Sequence, residues 1–118
     1  MPDRLDYLFV CYANMDRSPT AEAVCTRIAE DHNLDIVASS AGIANRADRP
    51  VTKEVADLAD KIFVMEPSMV TEMVEGYGQN PAKIVCLDIL DVYAQNDPAL
   101  VQRLETKMYE HFDREGLI

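Results

Sequence analysis

This chain of 118 residues has little of what marks the commoner site types. Its three cysteines, Cys11, Cys25 and Cys86, form an odd set with no paired spacing. That argues against a disulfide framework and a cysteine-bound zinc, and fits a reducing compartment. His32 and His111 stand alone with no ligand spacing and are expected on the surface or at a helix end, so no metal and no cofactor are expected. Basic residues are scarce, eleven against twenty-one acidic ones for a formal net charge of −10, which weighs against nucleic acid as a partner. No apolar run approaches the roughly 20 residues of a membrane span. The N-terminal Met1-Pro2-Asp3-Arg4 has no apolar leader, so a cytoplasmic protein without a membrane partner is expected. Repeats, low-complexity tracts and linkers are missing too, and residues 1–118 read as one domain, most simply a monomer.

What is present is an alternation of short apolar runs and helical patterns. Strands are expected at 6–11, 34–39, 61–65 and 83–87, with helices at 18–31, 52–59, 67–75 and 97–113. Thr52 suits the N-cap of the second helix, and Asp97 with Pro98 the N-cap and first turn of the last. Val101, Leu104, Met108 and Phe112 fall on one stripe of that last helix. Met65, Met69 and Met73 have core spacing, and Cys25 and Cys86 read as small buried hydrophobes in regular elements. Alternating β and α units with short links imply an α/β fold: a four-stranded parallel sheet with helices on both faces, of flavodoxin-like topology. Ligands of such sheets bind beyond the carboxyl ends of the strands.

At that edge stands the most informative segment, Cys11-Tyr12-Ala13-Asn14-Met15-Asp16-Arg17-Ser18, between the run Tyr7–Val10 and a helix start. A cysteine between a strand end and a helix N-terminus sits where amide N–H groups and the helix dipole favour an anionic, nucleophilic sulfur. Arg17 closes the loop with a planar fork matched to two phosphate oxygens. A cation at a helix N-terminus is itself disfavoured unless an anion is bound there. Asn14 tolerates left-handed backbone and can tie the loop together, and Ser18 can cap the helix. The segment reads as a phosphate cradle formed by Tyr12, Ala13, Asn14, Met15, Asp16 and Ser18, with Cys11 as nucleophile and Arg17 as phosphate ligand.

Val10-Cys11-x-x-Asn14-x-x-Arg17-Ser18-Pro19-x-Ala21-Glu22-Ala23 resembles the phosphate loop and first helix of the low molecular weight protein tyrosine phosphatases. Ser39-Ser40-Ala41-Gly42 is similar to the family's Ser-Ala-Gly segment, and Ala59-Asp60 through Val64-Met65-Glu66 to its Ala-Asp…Val-Met-Asp strand. Asp91-Val92-Tyr93 overlays its late Asp-Pro-Tyr. The resemblance implies a metal-independent hydrolase of the phosphotyrosine phosphatase I fold. Its substrate would be a phosphorylated protein or small phosphomonoester, attacked through a cysteinyl-phosphate. It also implies that Asn14 braces the loop, that the Ser18 hydroxyl bonds the thiolate, and that Asp91 is the general acid, with Asp88 as rival. Tyr12 and Tyr93 are candidate walls of an aromatic slot, plain surface packing being the other reading.

Three departures mark the chain as a compact, divergent member. Asp16 stands where familiar members carry a second cysteine, the stretch from Gly42 to Val51 is short, and Val92 replaces proline in the acid loop. A carboxylate at position 16 opposes thiolate and phosphate if it faces the loop, and an outward orientation is expected. Two other functions stay open: a non-catalytic phosphate- or phosphopeptide-binding module with the same cradle, and a thiol-dependent arsenate reductase.

Overall fold

The computed structural model describes residues 4–12, 17–44, 47, 49–90 and 92–118. Strand β1, Leu5–Cys11, is buried from Tyr7 to Cys11, the signature of a strand covered on both faces. It pairs in parallel with β2, Ile36–Gly42, on one side and with β3, Lys61–Val64, on the other; β4, Ile84–Cys86, adds parallel to β3. The order β2-β1-β3-β4 confirms the expected four-stranded parallel sheet. The chain winds outward to β2 and then returns across β1 to β3 and β4. The reversal makes a switch point at the carboxyl ends of β1 and β3.

Right-handed crossovers put helix α1, Arg17–Asp31, on one face and α2, Lys53–Leu58, with α3, Pro67–Thr71, on the other. Helix α4, Pro98–Arg114, packs beside α1. Alternation along β1 turns Tyr7, Phe9 and Cys11 to one face. There Phe9 stacks on Phe63 at 4.8 Å between ring centroids, and Tyr7 lies 4.9 Å from Phe63 and 6.3 Å from Phe112 of α4. Leu100, Leu104, Met108 and Phe112 close this layer, all fully buried, while Val101 is only partly so. Met65, Met69 and Met73 are core residues, as their spacing implies.

The predicted caps form. Thr52 Oγ1 accepts from the Val55 amide at 3.1 Å, and Asp97 Oδ1 from the Ala99 amide at 2.8 Å. Several boundaries differ from expectation. β2 begins later, at Ile36, and runs on to Gly42 because Ser39–Gly42 finds a full row of partners in Leu8–Cys11, which outweighs its polar composition. The third helix is regular only to Thr71 and widens into a π turn over Glu72–Gly76. Cys86 is exposed rather than buried, since β4 is a three-residue edge strand with no neighbour beyond it among the described residues. Of the two placements expected for His111, surface or helix end, it takes the second: it stands in the last turn of α4, 2 % exposed, with Nε2 3.2 Å from the Tyr7 hydroxyl. It lies three residues after Met108 and seven after Leu104, on the apolar stripe itself, where Tyr7 satisfies its polar edge. Among the described residues, no helix is long and apolar enough to cross a membrane.

Candidate functional site

Cys11 is the last residue of β1 and Arg17 the first of α1, so both flank the switch point. Both are buried, at 3 % and 2 % exposure. Cys11 Sγ lies 3.0 Å from Ser18 Oγ. The same hydroxyl has the Ala41 carbonyl of β2 only at 3.5 Å, so the sulfur is its closer contact. Ser18, in the first turn, thus places its hydroxyl against the sulfur.

Groups outside the Cys11–Ser18 segment help to hold Arg17. Its Nη1 donates to Glu66 Oε2 at 2.8 Å and to the Ile89 carbonyl at 2.9 Å. Glu66 lies two residues past the end of β3, at the N-cap position of α3. Ile89 lies beyond β4 in a segment that continues along the sheet edge, its amide donating to the Met65 carbonyl at 2.8 Å, as Leu87 donates to Val64. The carboxyl ends of three neighbouring strands thus meet at one guanidinium.

A second set of bonds closes the site on the β2 side. Ile43 and Ala44 amides donate to the Cys11 and Tyr12 carbonyls at 3.1 and 2.8 Å. The chain then folds back at once: the Gly42 amide donates to Arg49, and the Val51 amide to Gly42, each at 2.8 Å. This is the short stretch noted in the sequence. On the far side, Thr20 Oγ1 of α1 accepts from the Asn96 amide at 3.0 Å and fastens the loop before α4 to the helix start.

Of the sequence-derived site residues, Cys11, Arg17 and Ser18 come together. Tyr12 borders them and is 60 % exposed, and Tyr93 is partly buried against the core. Ala13, Asn14, Met15, Asp16 and Asp91 lie outside the described residues. Asp88 is exposed, with a left-handed φ of 58° between the buried Leu87 and Ile89. Sequence reasoning missed Glu66 and the Ile89 carbonyl as partners of Arg17. It also passed over Leu90 and Val92, exposed apolar side chains on either side of position 91. Glu66 closes a motif the sequence singled out, but no local pattern points it at residue 17.

The other cysteines are remote. Cys86 sits two strands from β1, about 10 Å at ordinary strand spacing, beyond the roughly 7 Å that a disulfide spans. Cys25 is two turns along α1, and burial pushes its thiol up to about 12. Among the described residues, no group of three or more His, Cys, Asp or Glu is placed to hold a metal ion.

Comparison with known proteins agrees with this geometry. Residues 6–88 match the sequence profile of the low molecular weight phosphotyrosine protein phosphatases. No curated protein sequence matches significantly. Among solved structures, a YwlE mutant from Bacillus subtilis superposes with a TM-score of 0.79 at 24 % identity, over 95 % of this chain and 99 % of that one. The tyrosine phosphatase Wzb from Escherichia coli K30, in complex with phosphate, gives 0.76 at 21 % identity over 95 % and 99 %. A cysteine-to-serine mutant of the YwlE arginine phosphatase, its active-site serine phosphorylated, gives 0.73 at 23 % identity over 92 % and 96 %.

Proposed function

The chain belongs to the low molecular weight phosphotyrosine protein phosphatases, cysteine-based enzymes that need no metal, and on that premise we propose that it hydrolyses phosphomonoesters, aryl phosphates such as phosphotyrosine foremost, through a cysteinyl-phosphate on Cys11. The observation that carries the reading is the contact of Cys11 Sγ with Ser18 Oγ at 3.0 Å, at the carboxyl edge of the sheet beside a buried Arg17.

The chemistry follows from those atoms. The Cys11 thiolate attacks phosphorus in line; the S–P bond forms as the bond to the leaving oxygen breaks. Arg17 and the N-terminal amides of α1 carry the charge of the equatorial oxygens. The Asp91 carboxyl group protonates the leaving oxygen, without which an alkoxide or phenoxide departs poorly. Water then attacks phosphorus and gives its proton to Asp91, and the S–P bond breaks to return the thiolate. In both steps the Ser18 hydroxyl donates to the anionic sulfur, which matters most when that sulfur is the leaving group. The phosphorylated serine in the YwlE arginine phosphatase mutant supports a covalent route on this fold.

Asp91 is favoured over Asp88 by its overlay on the family's Asp-Pro-Tyr and by its place just past Ile89, whose carbonyl is held on Arg17. Asp88 turns to solvent from a strained backbone position. The exposed Tyr12, Leu90 and Val92 supply apolar surface for an aryl group. The isolation of Cys11 from Cys25 and Cys86 weighs against the thiol relay that arsenate reduction requires.

Turnover of p-nitrophenyl phosphate by the wild type and by Cys11→Ser tests the proposal, with phosphoarginine as comparison substrate. Wild-type hydrolysis of the aryl ester, lost in the serine variant while phosphate still binds, is the expected result. Hydrolysis retained in Cys11→Ser removes the nucleophile. Phosphate binding without wild-type turnover of either substrate makes the chain a binding module instead.

A further inference from the structure

We propose that the face of α4 carrying Arg103 and Lys107 is a docking surface for an acidic segment of the phosphorylated protein substrate. The proposal rests on the reading of the chain as a phosphatase and names the kind of substrate that reading takes.

Cations on this protein are few, and most are already held. Among the described residues, Arg4, Arg17, Arg27, Arg49, Lys53 and Lys61 each form an ion pair. Lys83 donates instead to the Ala56 carbonyl at 2.8 Å, and Arg114 ends α4, where the helix dipole favours a cation. Arg103 and Lys107 have neither advantage: both lie inside α4, and among the described residues no carboxylate pairs with either. Four residues apart, they are neighbours on one helix face, where like charges repel. Glu110, a turn beyond Lys107, joins neither of them. In a chain with twenty-one acidic residues, such a pair is at odds with itself until an anion from outside bridges it.

The surroundings choose the anion. With Ala99, Gln102 and Thr106, the two cations line a cavity of about 340 Å³, within the roughly 300–1,000 Å³ of small binding sites. The cavity lies along the middle of a helix, where backbone amides are spent on helix bonds, and the Thr106 hydroxyl donates to the Gln102 carbonyl at 3.1 Å. It therefore offers side-chain heads and no amide cradle for a lone inorganic anion. Carboxylates presented by a longer chain suit it better. The helix also begins beside the catalytic edge, since the Asn96 amide donates to Thr20 Oγ1 of α1 at 3.0 Å. At about 1.5 Å per residue along α1 and α4, Arg103 and Lys107 stand about 15–25 Å from the Arg17 end. An extended chain covers that span in about five to seven residues. A protein whose phosphorylated residue enters the site can lay its acidic flank there; a small phosphomonoester cannot.

The experiment uses phosphotyrosyl peptides with an Asp/Glu run about five to seven residues from the phosphotyrosine, on its amino or its carboxyl side, and the same peptides with Asn and Gln in the run. Three proteins are compared: the wild type, Arg103→Gln with Lys107→Gln, and Arg4→Gln with Lys53→Gln, which removes two charges elsewhere. The readouts are kcat/KM and, with Cys11→Ser added to each protein, peptide dissociation constants; p-nitrophenyl phosphate turnover is the control. Arg103→Gln/Lys107→Gln should lose about three- to tenfold for an acidic peptide relative to its neutral counterpart, the scale of two exposed ion pairs. The loss should vanish near about 1 M salt, with p-nitrophenyl phosphate turnover unchanged throughout. Arg4→Gln/Lys53→Gln should discriminate as the wild type does. The proposal is overturned if acidic and neutral peptides respond alike, and equally if the Arg4→Gln/Lys53→Gln protein shows the same loss, because net charge would then be the cause. A lower sedimentation coefficient in Arg103→Gln/Lys107→Gln than in the wild type gives the face to a second copy of this chain instead. The dissociation constants do not depend on turnover, so a protein that binds these peptides but hydrolyses none defeats the phosphatase reading and still tests this one.

Discussion

Replacing Ser18 with alanine removes one hydroxyl from a fully buried position and takes a hydrogen-bond partner from Cys11 Sγ, 3.0 Å away. The change is nearly isosteric, and the Ala41 carbonyl, at 3.5 Å, loses only a marginal contact. Of these two contacts, the shorter one, to the sulfur, is the one this variant tests. A hydrogen bond to a charged group contributes about 1.5–3 kcal/mol, equivalent to roughly ten- to a hundredfold in rate where the interaction is fully expressed in the transition state. The two chemical steps feel it differently. In the first, the thiolate loses stabilisation but also becomes the stronger nucleophile, so the effects partly cancel. In the second, the thiolate is the leaving group and nothing offsets the loss. Ser18→Ala should accordingly lower kcat by about ten- to a hundredfold and make hydrolysis of the phosphoenzyme limiting. Rapid-mixing measurements with p-nitrophenyl phosphate should show a burst of nitrophenol approaching one per enzyme, followed by a slow steady rate. A steady rate within twofold of wild type, with no burst, would refute the role given to this hydroxyl.

Three more consequences can be checked. Asp91→Asn should slow hydrolysis of aryl phosphates by about a hundred- to ten-thousandfold, more steeply for more basic leaving groups, whereas Asp88→Asn should change little; the reverse pattern transfers the acid role to Asp88. Burial holds the His111 imidazole below its ordinary range, outweighing the attraction of Glu115. The unfolded chain therefore takes up a proton more readily than the folded one, and stability should be full above about pH 6.5 and decline as the pH falls below it. Urea midpoints at about pH 7.5 and 5.5 should differ in the wild type and converge in His111→Asn, and an unchanged slope in that variant assigns the effect elsewhere. Leu104→Ala opens a cavity in the wholly buried layer between α4 and the sheet and should cost about 2–5 kcal/mol in urea unfolding; a loss below about 1 kcal/mol would mean that the layer is not close-packed.

How far the sequence revealed the molecule depended on whether the deciding contacts were local. β1 was readable because Tyr7–Val10 is an unbroken apolar run, and α4 because Asp97-Pro98 opens a helix whose leucine, methionine and phenylalanine recur on one stripe. Cys11, Arg17 and Ser18 were found because a strand end, a loop and a helix start fall within eight consecutive residues. The failures were of the other kind. Cys86 looks like core in a run of apolar neighbours, and only the strand order shows that β4 is an edge. His111 does stand at a helix end, as expected, but its burial was not readable because its partner, the Tyr7 hydroxyl, lies 104 residues away. The clamp on Arg17 joins Glu66 and Ile89, distant in sequence and brought together by the reversal of strand order at β1. The early end of α3 has no such cause in view: the π turn over Glu72–Gly76 buries Met73 where a regular helix was expected to.

The central claim is that phosphorus passes through the Cys11 sulfur. Wild-type protein mixed with p-nitrophenyl phosphate, quenched in acid within a single turnover and digested, can be mapped by mass spectrometry. The account predicts one phosphoryl group on the peptide that carries Cys11, attached to sulfur and absent after complete turnover. Substrate consumption with Cys11 unmodified at every quench time, or phosphate found on another residue, would contradict it.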